Sequence, residues 1–328
     1  MATDAAEMKG RALELGFDTV GVAPAVPSPH FDAYRQWLAK GYHGTMQYLA
    51  RHAALKASPD MLMPGARSVV AVTLGYNRPN DFVPGRPRIA RYALGRDYHK
   101  VLRGKLRRLA GWIEERHEGS RNRVCVDTAP ILERDYANLA GLGWFGKNTM
   151  LIDSKRGSWF FLGLLLTTVE FTPDSPAAGS CGTCRKCVEA CPTGAIVYED
   201  RRWQIDARRC VSYLTIEHRG EIDPEFEAGI GDWTFGCDVC QEVCPFNSAR
   251  ESQPQRAGET REPDFQSHRQ LPTLTDLADI TRERWDEVTR GTALRRTGYE
   301  GLKRNARINL RQAAKRQIEP APAASKAR

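Results

Sequence analysis

Hydrophobic positions in the first half of the chain alternate between two periods. Over residues 4–15, Ala5, Met8, Ala12 and Leu15 recur at helical spacing, with Thr3 or Asp4 placed to cap the start and Gly16 to stop the end. The next runs, Phe17-Asp-Thr-Val-Gly-Val and Ser68-Val-Val-Ala-Val-Thr-Leu, are short, β-branched and bounded by Gly or Pro, which predicts buried strands. A polar connector from Arg51 to Pro64, carrying Lys56-Ala-Ser-Pro59, separates them. From Asp97 to His117, Val101, Leu102, Leu106, Leu109, Trp112 and Ile113 make one stripe, and Lys100, Arg103, Lys105 and Arg107 face the other way. This predicts an amphipathic helix whose basic face is surface or a phosphate contact. Val124-Cys-Val-Asp-Thr then reads as a strand, Ile131 to Leu142 as a helix, and Trp159 to Glu170 as a long buried strand. Strands alternating with helices imply an α/β (α+β) sandwich.

The pattern breaks at Phe171 to Ser180, a stretch rich in Pro, Ala, Gly and Ser. We therefore divide the chain into an α/β domain (residues 1–172), a cysteine-rich domain (173–250), a C-terminal helical, basic segment (251–312) and a disordered tail (313–328). Apart from paired cysteine runs there are no internal repeats.

Composition adds two constraints. The chain of 328 residues is 41% hydrophobic, enough for a packed core, and no run approaches the roughly 18 apolar residues of a membrane span. Its N-terminus has neither a basic start followed by an apolar stretch nor a twin arginine, so the expected location is the cytoplasm, where cysteines serve metals rather than disulfides. Net charge is +8, and Arg282 to Arg316 holds eleven Lys or Arg against four acids with Trp285 and Tyr299 interleaved. Such a stretch suits a polyanion such as nucleic acid, or is a solvated helix face.

The cysteines carry the strongest chemical signal. Cys181-Gly-Thr-Cys184-Arg-Lys-Cys187-Val-Glu-Ala-Cys191-Pro192 follows the C-x₂-C-x₂-C-x₃-C-P pattern of [4Fe–4S] ferredoxins, and Cys237-Asp-Val-Cys240-Gln-Glu-Val-Cys244-Pro245 is a second group. Two such clusters take eight thiolates, and the two runs supply seven, with Cys210 as the eighth. By the crossed ferredoxin rule, Cys181, Cys184, Cys187 and Cys244 hold one cluster, and Cys191, Cys210, Cys237 and Cys240 the other. Cys125 is left over. Structural zinc and disulfides are the alternatives, and the spacing fits neither well.

Other motifs are weaker. Gly141-Leu-Gly143-Trp-Phe-Gly146-Lys147-Asn148 contains both G-x-G-x-x-G and most of a Walker A string, yet it follows a predicted helix, and Asn148 stands where a P-loop needs Ser or Thr. Its glycines suit a loop whose backbone approaches something flat or bulky. Asp97-Tyr-His99 begins like the D-x-H-x-x-G signature of histidine-ligated cobalamin proteins, but Leu102 occupies the glycine position, so His99 reads as an ordinary hydrogen-bonding residue. Asp127, at a predicted strand end, is either a turn or cap aspartate or an acid held in a crevice beyond the strand.

Taken together, Val126-Asp-Thr-Ala-Pro-Ile-Leu-Glu-Arg, Ala140-Gly-Leu-Gly-Trp-Phe-Gly-Lys-Asn, the double cluster motif and Cys210-Val-Ser-Tyr-Leu-Thr-Ile-Glu217 closely resemble the epoxyqueuosine reductase family. Tyr92-Ala-Leu-Gly-Arg-Asp-Tyr-His99 and Gly291-Thr-Ala-Leu-Arg-Arg-Thr-Gly298 fit it too, and the resemblance spans roughly residues 5–312. It implies a cytoplasmic, monomeric oxidoreductase that reduces epoxyqueuosine to queuosine at the wobble position of tRNA. The implied cofactors are base-off cob(II)alamin and two [4Fe–4S] clusters, fed by an external low-potential electron donor, with a fold related to reductive dehalogenases. The family's proton donor falls on Asp127, and its corrin contacts on Lys56, Asp127, Leu151, Leu162 and Ser212, with the Lys147-Asn148 loop close by. His218 and the basic C-terminal helices would face tRNA.

Two departures qualify that expectation. Several members have an extra helical repeat after the C-terminal segment, whereas this chain stops soon after Leu310, which shifts tRNA affinity toward residues 282–316. Some members have a cysteine near the cobalt face where this chain has Ala90. In the implied reaction an epoxide oxygen leaves as water, which takes two electrons and two protons. A carboxylic acid beside an apolar corrin would keep its proton near neutrality, the role expected of Asp127. The alternatives are a dehalogenase-like enzyme acting on a small organohalide, a ferredoxin-type carrier, and a tRNA-binding regulatory iron–sulfur protein.

Overall fold

The computed structural model describes residues 2–249, 256, 258–266 and 270–318. Its centre is a four-stranded sheet built from β1 (Thr19–Pro24), β2 (Ser68–Gly75), β3 (Asn122–Cys125) and β4 (Phe160–Thr167), in the spatial order β1-β2-β4-β3. Every pairing is antiparallel, with Val72 opposite Gly163 and Val124 opposite Leu165. The sandwich is thus present, but the alternation of strands and helices does not produce parallel βαβ units.

Both faces of this sheet are covered, which is why β2 reads as an unbroken apolar run. On one face Val22, Val70, Val72, Leu74 and Leu165 pack against Met8 and Ala12 of α1 (Ala2–Glu14) and against Leu102, Leu106, Leu109 and Ile113 of α2 (Tyr98–Arg116). On the other, Ala23, Val69, Ala71, Leu164 and Leu166 meet Tyr136 and Ala137 of α3 (Glu133–Leu139). Gly163 lets α2 approach β4, since a Cβ there would lie 2.9 Å from Leu106 Cδ1. The connector expected between the first two strands folds into short turns, one of which, Ala54–Ala57, buries Lys56.

The cysteine-rich region is mostly loops and single helical turns, with a small hairpin of Ile196–Glu199 and Arg202–Ile205 and a helix α4 at Val211–Ile216. Beyond it, Leu274–Ala278 and α5 (Arg282–Thr289) pack through Leu277 and Trp285 on Leu302 and Ala306 of a long helix, α6 (Gly298–Ile318). The expectation of short helices followed by a tail from residue 313 is corrected here, because α6 continues to Ile318. The rest of the expected tail, 319–328, lies outside the described residues. No helix among the described residues is long and apolar enough to cross a membrane.

Candidate active site and cluster core

Asp127 lies just past the end of β3, in a turn rather than at a helix cap. Its φ is +53°, a left-handed conformation that a residue with a Cβ adopts only when its surroundings hold it. Two contacts do so. Its N–H donates to Glu133 Oε1 at 2.6 Å, and its Oδ2 lies 3.1 Å from His99 Nε2. His99 is in turn backed by Asp97, whose Oδ1 is 2.8 Å from Nδ1 and also caps the start of α2. The His99 ring stacks on Tyr98, centroids 4.1 Å apart, and Tyr98 stacks on Phe161 of β4.

This geometry decides the charges. Desolvation pulls the His99 pKa down, but the Asp127 and Asp97 carboxylates outweigh it and push the imidazole up to about 9. Desolvation pulls Asp127 upward, yet hydrogen bonding and attraction to His99 leave it below the ordinary aspartate value. The expectation that Asp127 keeps its proton beside a corrin concerns a covered site; with the crevice open, pairing with His99 holds its carboxyl below the ordinary value. The carboxyl that is raised is Glu133, pushed up to about 8 by burial and by the neighbouring Asp127. Asp127 remains 58% exposed at its side chain, so it lies in an open crevice that a ligand could cover.

Lys56 is 8% exposed, its ammonium 5.5 Å from the Tyr34 ring centroid and in no salt bridge among the described residues. Burial lowers its pKa, against the attraction of Glu133 and Asp127. Leu151 and Leu162 share one apolar cluster with Leu55, the neighbour of Lys56. Four of the expected corrin contacts are thus grouped around the face of the sheet that also carries α3. Ser212 lies apart from that cluster, in the first turn of α4 directly after Cys210. Ala90 is buried, donating its N–H to Phe235 O, and offers no thiol. Sequence reasoning missed His99 as a partner of Asp127, and it missed Glu133, Tyr98 and Arg296. The Asp97-Tyr-His99 string was the available signal, but by itself it points only toward cobalt ligation.

The cysteines gather in two groups. Cys181, Cys184, Cys187 and Cys244 line one cavity together with Lys147, Asn148, Ile152 and Phe246. Cys191, Cys210, Cys237 and Cys240 are mutual electrostatic neighbours, and Cys187 is the member of the first set that Cys240 feels. The N–H of Ala195 points at Cys191 Sγ, 3.2 Å away. Among the described residues no three His, Cys, Asp or Glu side chains converge tightly enough for a lone ion. Cys125 is fully buried and its thiol pushed up to about 12 by burial, an inert core residue.

The glycine-rich loop joins these two cysteine sets. It forms a tight hairpin pairing Trp144–Phe145 with Leu151–Ile152, where a Cβ on Gly143 would meet Ile152 O at 2.6 Å. From its tip Lys147 Nζ donates to Gly182 O and Cys184 O, both at 2.8 Å, while Asn148 Nδ2 donates to Cys240 O at 3.2 Å. One residue thus braces the first run and its neighbour the second.

The basic C-terminal segment is largely occupied internally. Arg296 pairs with Glu217, Arg295 and Arg290 with Asp286, Arg307 with Asp279, Arg311 with Glu227 and Arg316 with Asp232. Arg304 donates to the carbonyls of Leu214, His218 and Gly220, tying α6 to the end of α4. The His218 ring meets Glu221 O at 2.7 Å.

Comparison with known proteins agrees with this arrangement. Residues 180–247 match the family described as 4Fe-4S double cluster binding domain, and residues 56–128 match that described as Epoxyqueuosine reductase QueG, DUF1730. Epoxyqueuosine reductase of Vibrio cholerae is 42% identical over 93% of this chain and 82% of its own length. Among solved structures, an epoxyqueuosine reductase with an epoxyqueuosine-modified tRNA-Tyr stem loop superposes with TM-score 0.82 at 29% identity, covering 94% of this chain and 81% of that one. The Bacillus subtilis enzyme, solved with its catalytic aspartate loop swung out of the active site, gives TM-score 0.82 at 28% identity, over 98% and 86% of the two chains. A cluster-binding domain that follows an aspartate-bearing sheet, matched along nearly its whole length, leaves one assignment: the chain belongs to the epoxyqueuosine reductase family.

Proposed function

We propose that this chain reduces epoxyqueuosine to queuosine at position 34 of tRNA, in the cytoplasm, using base-off cobalamin and two [4Fe–4S] clusters, with Asp127 as the acid. The observation that carries the reading is the strained Asp127 turn, whose carboxylate is paired with a protonated His99 at the edge of an open crevice.

The residues fit the implied groups. Two sets of four thiols, with a backbone N–H aimed at one sulfur, suit two cuboid clusters, held by Cys181, Cys184, Cys187 and Cys244 and by Cys191, Cys210, Cys237 and Cys240. A buried ammonium at Lys56, within electrostatic reach of Glu133 and Asp127, with apolar Leu151 and Leu162 grouped nearby, suits a flat corrin rimmed by polar amides, and Ser212 would contact it from the cluster side. When bound, cobalamin supplies low-potential electron transfer to the epoxide carbon and the clusters replenish its electrons one at a time.

What the protein itself supplies is protons and exclusion of water. In the open crevice the ion pair of His99 and Asp127 is stable because solvent still reaches it. Covering the crevice with corrin and nucleotide removes that solvent, and a low dielectric favours the neutral partners over separated charges. The proton on His99 Nε2 then moves to Asp127 Oδ2, which gives it to the oxygen as the first C–O bond opens; the second proton, which lets the hydroxyl leave as water, is taken up from solvent through the same pair. Asp97 holds the imidazole ring in line, and Glu133 holds the turn by the Asp127 N–H. A raised acid at Asp127 is in this view a property of the covered site.

The test is anaerobic purification from cells supplied with cobalamin, metal counts, and turnover of an epoxyqueuosine-bearing stem loop with a chemical reductant. About eight irons and one cobalt per chain, with queuosine formed, is the expected result. Bound clusters and corrin without queuosine would overturn the substrate assignment.

A further inference from the structure

The cations in the first cysteine run are not used by the chemistry above. Arg185 and Lys186 stand between Cys184 and Cys187, are exposed, and form no salt bridge among the described residues. Arg185 lies over the Trp203 ring at 5.7 Å from its centroid, and Lys147, bound to Cys184 O, lies over the same ring at 5.7 Å. Arg185 and Lys147 therefore meet at one ring beside the cavity lined by Cys181, Cys184, Cys187 and Cys244, whose lining includes Lys147 and no acid, and exposed Lys186 follows Arg185 in the same run. Glu189, one turn further on, is the nearest carboxylate in that run.

The order of groups in space gives this face a direction. Cys187 of the first set neighbours Cys240 of the second. Gly236, beside Cys237, packs so closely on Ala90 and Tyr92 that a Cβ there would lie 2.6 Å from Ala90 Cβ. Tyr92 lies 6.1 Å from Tyr98, which stacks on His99. The second set thus faces the Asp127 crevice, and the first set, with its cations, is the outer end. A centre at that end is useful only if a reductant reaches it.

The geometry points to the Arg185, Lys186 and Lys147 face as the docking surface for an acidic, one-electron-carrying protein. This rests on the function proposed above, which requires single electrons from outside the chain. Transient redox partners bury small interfaces and depend on charge complementarity for encounter rate and orientation, so a compact basic rim around an aromatic ring is sufficient. Nucleic acid would be attracted by the same charge, but the substrate nucleotide must enter at Asp127, the other end of this series.

The test uses the cluster-loaded protein and an acidic flavodoxin as probe, with affinity read by titration at several salt concentrations. The double variant Arg185→Glu, Lys186→Glu is expected to bind flavodoxin roughly tenfold or more weakly and with a flatter salt dependence. Iron content, cluster reduction by dithionite and affinity for the tRNA stem loop should stay unchanged. Because charge reversal beside cluster ligands could cost iron, Arg185→Gln, Lys186→Gln serves as second variant, expected to show a smaller loss of the same kind. Flavodoxin affinity equal to that of the unaltered protein overturns the proposal, as does a loss confined to tRNA affinity, which would assign the face to RNA phosphate. Normal flavodoxin docking with no queuosine formed would instead overturn the proposed function and leave the docking surface standing.

Discussion

The cluster core and the Asp127 turn are built by opposite means. In the core, cysteines three or four residues apart are presented by single helical turns such as Lys186–Glu189 and Val239–Glu242, so spacing brings most of the candidate thiols together in two short runs. At the turn, every partner of Asp127 comes from another element: His99 and Tyr98 from the start of α2, Glu133 from α3, and Arg296 from the segment before α6. Chemistry written in local spacing survives as a motif, whereas chemistry assembled by the sheet leaves only isolated residues in the sequence. The two regions should therefore fail differently when broken.

The largest effect is expected in the core. Cys240→Ala would remove a proposed ligand of the inner cluster, so iron should fall to about half and turnover should be lost with any electron source, because nothing then reaches the crevice. Unchanged iron would show that Cys240 is not a ligand and would undo the crossed assignment. Next comes Asp127→Asn, which keeps the shape of the turn and its N–H bond to Glu133 but cannot pass a proton. Turnover should drop by about 10²–10⁴, the usual range for a positioned acid, with iron and corrin content intact. Full activity in this variant would remove Asp127 from the mechanism.

A subtler break separates the acid from its partner. In the folded protein His99 is raised to about 9, so the pair keeps its proton up to that pH and loses it above. The groups facing the pair are Asp97, Tyr98, Glu133, Lys56 and Arg296. In His99→Gln the proton must sit on Asp127 alone, and the high-pH fall of kcat/KM should move to lower pH, with roughly tenfold lower activity at neutrality. The same linkage acts on folding: stability from the raised His99 is fully present below its unfolded value near 6.5 and is lost as pH rises toward about 9. A high-pH limb that stays in place in the variant would remove His99 from the proton path.

How much of this was legible follows from the same contrast. The buried strand Ser68–Gly75 and the amphipathic helix Tyr98–Arg116 could be read because each is set by neighbours in sequence, as are the two short cysteine runs. Antiparallel pairing could not, since β2 is buried on both faces and shows no alternation to distinguish it from a parallel strand. Nor could the charge of Asp127, which depends on a histidine 28 positions away. The extension of α6 through residues 313–318 was hidden by the polar composition of its last turns, which are anchored by Gln312 against Glu227 and Arg316 against Asp232.

The smallest expected effect concerns charge that looks functional in sequence. Arg307 is about half exposed and paired with Asp279, and Arg311 with Glu227, so they hold α6 rather than a polyanion. Exposed pairs of this kind contribute about 0.2–1 kcal/mol, and Arg307→Ala should shift stability by no more than that while leaving tRNA affinity and its salt dependence as they were. By contrast Lys100 and Arg107 on α2 form no salt bridge among the described residues, and Arg103 beside them donates to Thr128, the neighbour of Asp127. If that face follows the RNA backbone toward the crevice, Lys100→Ala with Arg107→Ala should weaken stem-loop binding and reduce its salt slope by about one unit for each phosphate no longer neutralised. A reduced slope for Arg307→Ala and none for the α2 pair would reverse this ranking and return the RNA-binding role to the C-terminal helix.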